Sequence, residues 1–478
     1  MWWDNAVIYQ VYLRSFQDSD GDGVGDLPGA LSRLEHIAGL GADAVWLSPV
    51  YPSPNHDFGY DVSDFTDVDP TFGTLADLDA LIVRAHELGL RVLLDFVPCH
   101  TSTEHRWFRE HPEYYVWADE PANNWRAAFG GSAWGEDSVT GRYYLHSFFP
   151  EQADLDWHNP ELRAAMGDAL RFWVQRGIDG FRLDALDRLM KDPELRDDPP
   201  ASGPPALPTD PADAVLEHRY SRNSPDVSRA LQAIRDAVGD DILLVGEVYL
   251  PTGELGPYLE VLDIVFSFDA LHAGGDAAEL AAAIDSGLRT SGTGWVLSNH
   301  DFSRLPTRSG ADNARAASLL LLSLPGTAFL FQGDELGMAD ATPSGPPQDR
   351  HGRDGFRMPM RWDESPHAGF TTGTPWLDTA NEPVPSVAEQ ERDPRSTLAL
   401  VRAAIGVRQR LGSEADLIEA RDGAIILEGE DSVVAVNFGD ATASAPPGDQ
   451  LELAANPGDG DDLTVVPAHG GWVARRDR

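Results

Sequence analysis

Three acidic residues, Asp184, Glu247 and Asp301, stand at the ends of short apolar runs that are typical of buried strands. Two carboxylic groups that flank an acetal can cleave it, because one stays protonated and assists the leaving oxygen while the other is ionised. In a cleavage that retains the anomeric configuration, the ionised group attacks the anomeric carbon and lies roughly 5–5.5 Å from its partner. Together the three residues predict glycoside chemistry, although any one of them alone would be read as an ordinary surface carboxylate.

Basic and imidazole side chains accompany these acids. Arg182 lies two residues before Asp184, and alternate residues of a strand share a face. Its guanidinium is therefore expected to hold the carboxylate ionised and oriented. His100 follows the third apolar run and His300 follows the seventh, where they add neutral hydrogen-bond donors for sugar hydroxyls.

The elements that must position these residues alternate along the chain. Short apolar runs are separated by amphipathic stretches with helical spacing, such as 75–88 and 161–175, and this alternation is typical of βα units. Eight units favour a (β/α)8 TIM barrel, an α/β fold whose active-site residues lie at the carboxyl ends of the strands. The predicted strands are Ala6–Leu13, Ala42–Ser48, Arg91–Val97, Gly180–Ala185, Ile242–Val248, Asp263–Phe268, Gly294–Asn299 and Ala328–Phe331.

Three domains are predicted from the breaks in this rhythm. Residues 1–100 and 160–411 form the barrel, and residues 101–159, rich in aromatic and polar side chains, form a subdomain inserted after the third strand. Short alternating strands predict a small C-terminal β-sandwich over 412–478. The Pro- and Asp-rich stretch 191–225 is expected to form a long loop, in the position of a lid.

The balance of charge limits the partners. The chain has 478 residues, with 36 Lys+Arg against 78 Asp+Glu and a net charge of -42, so binding to nucleic acid or to an anionic membrane is not expected. A small neutral sugar fits this charge better. Cys99 is the only cysteine, which rules out an intrachain disulfide. Because residues 1–4 show no signal-peptide pattern, a cytoplasmic location is expected; no pattern indicates an oligomeric state.

Longer motifs point to a known family. The opening stretch Trp2–Tyr12, the run Gln152–Trp157 and the order of the strand-end motifs resemble the alpha-amylase superfamily, glycoside hydrolase family 13, over nearly the whole chain. Within it the sequence is similar to the alpha-glucosidase and oligo-1,6-glucosidase branch, which usually has Pro and Asn where this chain has Ala153 and Asp156. The resemblance implies a retaining, exo-acting alpha-glucosidase that releases glucose from the non-reducing end of short alpha-glucosides.

The resemblance also implies a role for each site residue. Asp184 would be the nucleophile that forms a covalent glucosyl-aspartate, Glu247 the general acid/base, and Asp301 the group that stabilises the distorted sugar. Asp57 would grip the far hydroxyls of the terminal glucose, and Tyr60 would stack beneath its ring, since an aromatic face suits the apolar side of a sugar. The other positions that match sugar-binding residues of the family are Arg182, His100, His300 and Arg357.

Two features bear on specificity. Arg357 is expected to pair with Asp57 and close the end of the pocket, so that only a terminal sugar fits. The small residue after the nucleophile, Ala185, goes with an alpha-1,4 preference in this branch, whereas valine goes with alpha-1,6. Two alternatives stay open: a glucosyl transferase or isomerase of the trehalose synthase or sucrose isomerase type, which uses the same double displacement, and a non-catalytic member of the superfamily, against which the intact acids speak.

One loop predicts a metal site. Residues 18–26 space their oxygen atoms like the start of an EF-hand loop, and related alpha-glucosidases bind calcium or magnesium with a similar loop. No organic cofactor is expected. The expected ligands are Asp18, Asp20, Asp22 and Asp26 through their side chains and Val24 through its carbonyl.

A second position argues against calcium. Many amylases bind a structural calcium through an Asn that precedes the histidine of the third-strand motif, and this chain has Cys99 there. Cysteine is a poor ligand for a hard cation, so calcium is not expected at that place. Cys99 is expected to be a buried structural thiol, because no base stands beside it in the family pattern.

Overall fold

The structure, a computed structural model, describes residues 1–208, 211, 213–378, 384–412, 415–421 (backbone only over 417–421) and 423–476. Eight parallel strands close into a barrel in the order β1-β8-β7-β6-β5-β4-β3-β2, which confirms the predicted fold. Their residues are buried almost throughout, as expected of strands that are covered on both faces. In chain order they are β1 (Val7–Val11), β2 (Ala44–Leu47), β3 (Arg91–Phe96), β4 (Gly180–Leu183), β5 (Leu243–Gly246), β6 (Ile264–Phe266), β7 (Thr293–Val296) and β8 (Thr327–Phe331).

By its internal contacts the chain divides into two compact units. The first comprises residues 1–46, 83–91 and 267–478, and the second comprises 47–82 and 92–266. Apart from Arg91 at the start of β3, the strands β3 to β6 belong to the second unit, and β1, β7 and β8 belong to the first. The predicted domain boundaries after residues 100, 159 and 411 stay a prediction.

The last described helix of the first unit spans Thr397–Arg408. The described helices of this unit are Leu27–Leu40, Phe268–Ala273, Ala277–Leu288, Leu305–Ser309, Ala314–Ser323, Val387–Gln390 and Thr397–Arg408. The helix Leu75–Glu87 runs from the second unit into the first. No described helix combines the length and the apolar character that a membrane crossing requires.

The C-terminal part of the first unit is antiparallel β structure, as predicted. A two-stranded pair, Ala443–Ser444 with Val465–Val466, accompanies a five-stranded sheet. Trp472 and Val433 lie in its buried core. The strands of the larger sheet, in spatial order, are Ala415–Arg421, Ala424–Gly429, Ser432–Asn437, Gly470–Arg475 and Gln450–Ala454.

The second unit contains the segment inserted after β3. The strand His100–Ser102 pairs antiparallel with Gln152–Asp154, so the segment leaves and returns side by side. Between them lies a three-stranded sheet of Trp117–Ala118, Tyr143–Leu145 and Trp134–Glu136. The helices of this unit are Arg106–Glu110, Pro160–Gln175, Val227–Val238 and Gly256–Leu259.

Candidate active site

Two of the predicted catalytic residues directly follow the ends of neighbouring barrel strands. On the neighbouring strands β4 and β5, Leu183 lies opposite Gly246, so Asp184 and Glu247 are the next residues of each strand. The backbone N–H of Glu247 donates to the carbonyl of Leu183 at 2.9 Å, which keeps the two chains aligned past the strand ends. Ala185 follows with a φ of 50°, a left-handed conformation that non-glycine residues adopt rarely and that is frequent at functional sites.

One guanidinium organises the carboxylates of this unit. Arg182 on β4 is 2% exposed, and its Nη1 lies 2.7 Å from Oδ1 of Asp184. The same nitrogen lies 2.8 Å from Oδ1 of Asp95, and Nη2 lies 2.8 Å from Oε2 of Glu247. Glu247 also accepts a 3.0 Å hydrogen bond from the backbone N–H of Ala185. The predicted nucleophile and the predicted acid/base therefore share one buried cation.

Asp95 on β3 is a site residue to which the sequence reasoning gave no role. Its carboxylate is fully buried, and it accepts a 2.9 Å hydrogen bond from the hydroxyl of Tyr60. Burial raises the pKa of Asp95 to about 6, although Arg182 and Tyr60 act to lower it. The available signal was an acidic residue inside an apolar strand, which is rare without a partner.

The predicted sugar-binding residues of the second unit form a connected group. The side-chain amide of Gln152 donates to Oδ2 of Asp57 at 3.1 Å, and its nitrogen lies 3.0 Å from Nε2 of His100. That same Nε2 lies 3.1 Å from the carbonyl oxygen of Tyr60. Burial lowers the pKa of His100, so the imidazole is neutral at pH 7, as the sequence predicted. Gln152, which links these residues, was quoted in a motif but given no role.

The third predicted carboxylate, Asp301, lies in the first unit and is held by three cationic or imidazole groups. Nη1 of Arg353 and Nη2 of Arg357 each lie 3.1 Å from its Oδ1, and Nε2 of His300 lies 3.1 Å from Oδ2. Two guanidinium groups on one oxygen favour the ionised form of a carboxylate. Asp349 accepts two hydrogen bonds from Arg353, from Nε to Oδ2 at 3.0 Å and from Nη2 to Oδ1 at 2.8 Å.

Arg357 and His300 are buried and fixed within the first unit. Nε of Arg357 donates to the carbonyl of His300 at 2.7 Å, and Nη1 lies 3.4 Å from the hydroxyl of Tyr12. The amide nitrogen of Gln10 lies 2.8 Å from Nδ1 of His300, which leaves Nε2 as the nitrogen that donates to Asp301. The pairing of Arg357 with Asp57 stays a prediction. Arg353, four residues before Arg357, was not among the predicted site residues.

A cavity borders the predicted lid. It measures about 350 Å³ and lies within the second unit. The Pro-rich stretch 201–207 forms one wall, and the side chains of Arg222, Asn223 and Tyr249 line it as well. Tyr249 stands two residues after Glu247, the predicted acid/base. The long loop therefore borders a cavity that is also lined by a residue close in sequence to Glu247.

The predicted metal loop brings three of its four carboxylates together. Asp18, Asp20 and Asp22 each offer an oxygen atom, and these atoms lie within 4.8 Å of one another. Burial would raise the pKa of Asp18, but hydrogen bonds from Thr371 and from backbone N–H groups lower it overall, so the group is ionised at neutral pH. A set of hard oxygen donors fits Ca2+.

Asp26 is not part of this group of three, and its place among the ligands stays a prediction. Its carboxylate accepts hydrogen bonds from the backbone N–H groups of Ser19 at 2.9 Å and Gly29 at 2.6 Å. It is the N-cap of the helix Leu27–Leu40, where an aspartate satisfies N–H groups that have no partner inside the helix. The carbonyl of Val24 stays a predicted ligand.

Comparisons with known proteins identify the family. A family model described as the alpha amylase catalytic domain matches residues 10–414. A relative named "Probable alpha-glucosidase" from Rhizobium meliloti (strain 1021) is 42% identical over 464 residues, which cover 85% of this chain and 82% of that protein. The oligo-1,6-glucosidase of Parageobacillus thermoglucosidasius is 36% identical, and the match covers 86% of this chain and 84% of that protein.

Solved structures are similar over the whole chain. A crystal structure of an alpha-glucosyl transfer enzyme superposes with a TM-score of 0.91 at 35% identity, covering 100% of this chain and 99% of that one. The trehalulose synthase MutB from Pseudomonas mesoacidophila MX-45 has a TM-score of 0.88 at 29% identity, with 99% of both chains covered. The barrel, the paired carboxylates on one arginine and these matches lead to one conclusion: the chain belongs to the alpha-amylase family of glycoside hydrolases.

Proposed function

We propose that the protein is a retaining, exo-acting alpha-glucosidase that releases glucose from the non-reducing end of short alpha-glucosides, with a preference for alpha-1,4 links. The observation that carries the proposal is the pair of carboxylates, Asp184 and Glu247, on the single guanidinium of Arg182. Relatives named alpha-glucosidase and oligo-1,6-glucosidase support the substrate class. The small side chain of Ala185 supports the alpha-1,4 preference.

The proposed reaction is a double displacement. Asp184 attacks the anomeric carbon while Glu247 gives its proton to the leaving oxygen, so that the glycosidic C–O bond breaks and a glucosyl ester forms on Asp184. Glu247, now ionised, then takes a proton from water, which attacks the same carbon and frees Asp184. A single guanidinium balances one negative charge, so three ionised carboxylates around Arg182 would leave two in excess. A protonated Glu247 reduces that excess.

Asp301 is proposed as the carboxylate that stabilises the distorted sugar. It follows the carboxyl end of its own parallel strand, as Asp184 and Glu247 follow theirs, and TIM-barrel sites are built from several strand ends. Its ionised form, held by Arg353 and Arg357, would accept hydrogen bonds from sugar hydroxyls. These bonds strengthen as the ring distorts toward the transition state.

Arg357→Ala tests the proposed closed end of the pocket. The variant removes one charge-assisted hydrogen bond to Asp301 and the proposed partner of Asp57. Loss of such a bond costs about 1.5–3 kcal/mol, so the KM for maltose is expected to rise between about 10-fold and 100-fold. Steady-state kinetics with maltose measure it, and the exposed Arg395→Ala is the control. A KM within twofold of the unmodified enzyme would remove Arg357 from this role.

A transferase or isomerase is the second candidate, because solved structures of an alpha-glucosyl transfer enzyme and a trehalulose synthase are close in fold. Product analysis at high maltose and at high sucrose separates them. Glucose as the main product from maltose is the expected result; oligosaccharides or a sucrose isomer in its place would favour the second candidate.

We also propose that Ca2+, or Mg2+ in its place, binds the loop through Asp18, Asp20, Asp22 and the carbonyl of Val24. The supporting observation is the group of three carboxylates within 4.8 Å. The ion would stabilise the loop and take no part in the chemistry.

Chelation tests this metal site. Adding Ca2+ at about 100 times its Kd to the chelator-treated protein is expected to raise the unfolding temperature by about 2–5 °C. Asp22→Asn should lose most of that gain, and the exposed Asp168→Asn should keep it. If Asp22→Asn responds to Ca2+ as the unmodified protein does, the loop is not the site.

A cytoplasmic location is part of the proposal. The only thiol of the chain, Cys99, is buried. A protein of this size without disulfides suits a reducing compartment.

A further inference from the structure

Lysine occurs once in this chain. Of the 36 basic residues, Lys191 is the single lysine and the others are arginine. Its side chain is 5% exposed, and its ammonium lies 2.9 Å from Oδ2 of Asp154, which is fully buried. Burying a charge is costly unless it is paired, and an ammonium is a compact point charge where a guanidinium is broad and planar. The one lysine therefore stands where a compact cation is needed.

The surroundings of this ammonium resemble a metal site. Cys99, His100 and Asp154 are buried, and each offers a ligand atom within 4.8 Å of the others. The resemblance to amylases places a structural calcium at the position of Cys99. The residues present do not fit calcium, because sulfur and nitrogen are poor ligands for that hard cation. Sulfur, nitrogen and carboxylate donors are the set that binds zinc-type ions.

The ammonium joins two segments that meet behind the nucleophile. It donates to the carbonyl of Arg188, which ends the short turn Leu186–Arg188 just after Asp184. The thiol of Cys99 contacts the same carbonyl at 3.4 Å. Asp154 stands on the returning strand of the inserted segment.

Asp154 is itself well anchored. It accepts a 2.8 Å hydrogen bond from the backbone N–H of Ser147, so its position does not depend on Lys191 alone. Burial would raise the pKa of Asp154, but Lys191 and Ser147 lower it overall. The ionised carboxylate and the ammonium thus connect the inserted segment to the turn that follows the nucleophile.

We propose that Lys191 supplies, from the chain itself, the positive charge that a structural metal ion would supply at this junction, and that it occupies a metal site of the Cys/His/Asp type. Lys191 is a positioning residue, because it fixes the turn after Asp184 without touching the substrate. The activity test of this inference rests on the proposed function, whereas the metal and unfolding tests do not.

Cobalt binding tests whether Lys191 occupies a metal site. Because Cys99 is the only cysteine, a thiolate-to-cobalt absorption band can arise only there. Lys191→Ala is expected to show this band with about one equivalent of Co2+ and to gain thermal stability from the ion. The unmodified protein and the double variant Lys191→Ala/Cys99→Ser should show no such band. A folded Lys191→Ala without the band, or a band in the unmodified protein, would overturn the inference.

A comparison of unfolding temperatures tests the inference even if the single variants are unstable. Lys191→Met leaves Asp154 as an unpaired buried carboxylate, whereas Lys191→Met/Asp154→Asn removes both charges. The double variant is therefore expected to unfold at a higher temperature than Lys191→Met. If it unfolds at the same temperature or lower, the ammonium is not balancing Asp154 and the inference fails.

Kinetics of folded Lys191→Met test the positioning role. Measured well below its unfolding temperature, its kcat for maltose is expected to fall at least tenfold while KM changes less than threefold, because the turn after Asp184 shifts. Ethylammonium added to Lys191→Ala should restore part of the lost kcat. A normal kcat in the folded variant would exclude this role. If the unmodified protein cleaves no alpha-glucoside, the proposed function fails, and the cobalt and double-variant results still decide the present inference.

Discussion

Asp184→Ala is expected to lower the turnover of alpha-glucosides by about 10^4-fold or more, since loss of an attacking group removes the covalent path. The fold should persist, because Arg182 keeps Asp95 and Glu247 as partners for its buried charge. Turnover of maltose and of an aryl glucoside, with circular dichroism of the variant, provides the measurement. Asp168→Ala, an exposed aspartate on the helix Pro160–Gln175, is the matched control.

Azide added to Asp184→Ala is expected to give a product that identifies the nucleophile. In Asp184→Ala the space of the carboxylate is open, so azide can attack an activated alpha-glucoside from the face that Asp184 used. The expected product is beta-glucosyl azide. A variant that retains more than about a tenth of the normal rate, or that forms alpha-glucosyl azide, would contradict the assignment of the nucleophile.

Glu247→Gln is the second variant with a large expected effect. The amide side chain that it introduces cannot donate a proton to the leaving oxygen, and positioned acid catalysis contributes roughly 10^2–10^4-fold. The kcat for maltose is expected to fall by that factor. An aryl glucoside with an acidic phenol needs little proton assistance, so its first step should proceed and the glucosyl enzyme should accumulate. A pre-steady-state burst of phenol is the measurement.

The two variants differ in a way that an indirect effect on folding would not reproduce. Azide added to Glu247→Ala should attack the glucosyl enzyme and give alpha-glucosyl azide, the opposite anomer to that expected from Asp184→Ala. Equal losses for maltose and for the activated glucoside in Glu247→Gln, without a burst, would remove Glu247 from the acid/base role.

The periodic part of the sequence predicted the barrel well. All eight strands lie where the apolar runs stand, but most are shorter than predicted, because the chain leaves the ladder before the predicted end of the strand. The fourth strand, for example, ends at Leu183, before Asp184. On β7 the strand ends at Val296, and Asp301 follows after a further stretch of loop.

The partners of each site residue were harder to predict. A spacing of two residues placed Arg182 beside Asp184, and the structure agrees. Nothing in that local rule shows that the same guanidinium also holds Asp95 and Glu247, since these contacts bring together strands far apart in sequence. Asp154 and Lys191 are likewise paired across a long stretch of chain.

Asp26, a predicted ligand of the metal loop, has a second role that a local pattern indicates. It directly precedes Leu27 and Pro28, and proline is common in the first turn of a helix. That pattern predicts an N-cap, which is what the structure shows.

The proposed covalent intermediate can be identified directly. Glu247→Gln is mixed with an activated alpha-glucoside, quenched in acid during the burst and digested, and the peptides are analysed by mass spectrometry. The expected result is a single glucosyl ester, and this ester is expected on Asp184. A glucosyl group on another residue, or no adduct together with a first product of inverted anomeric configuration, would contradict it.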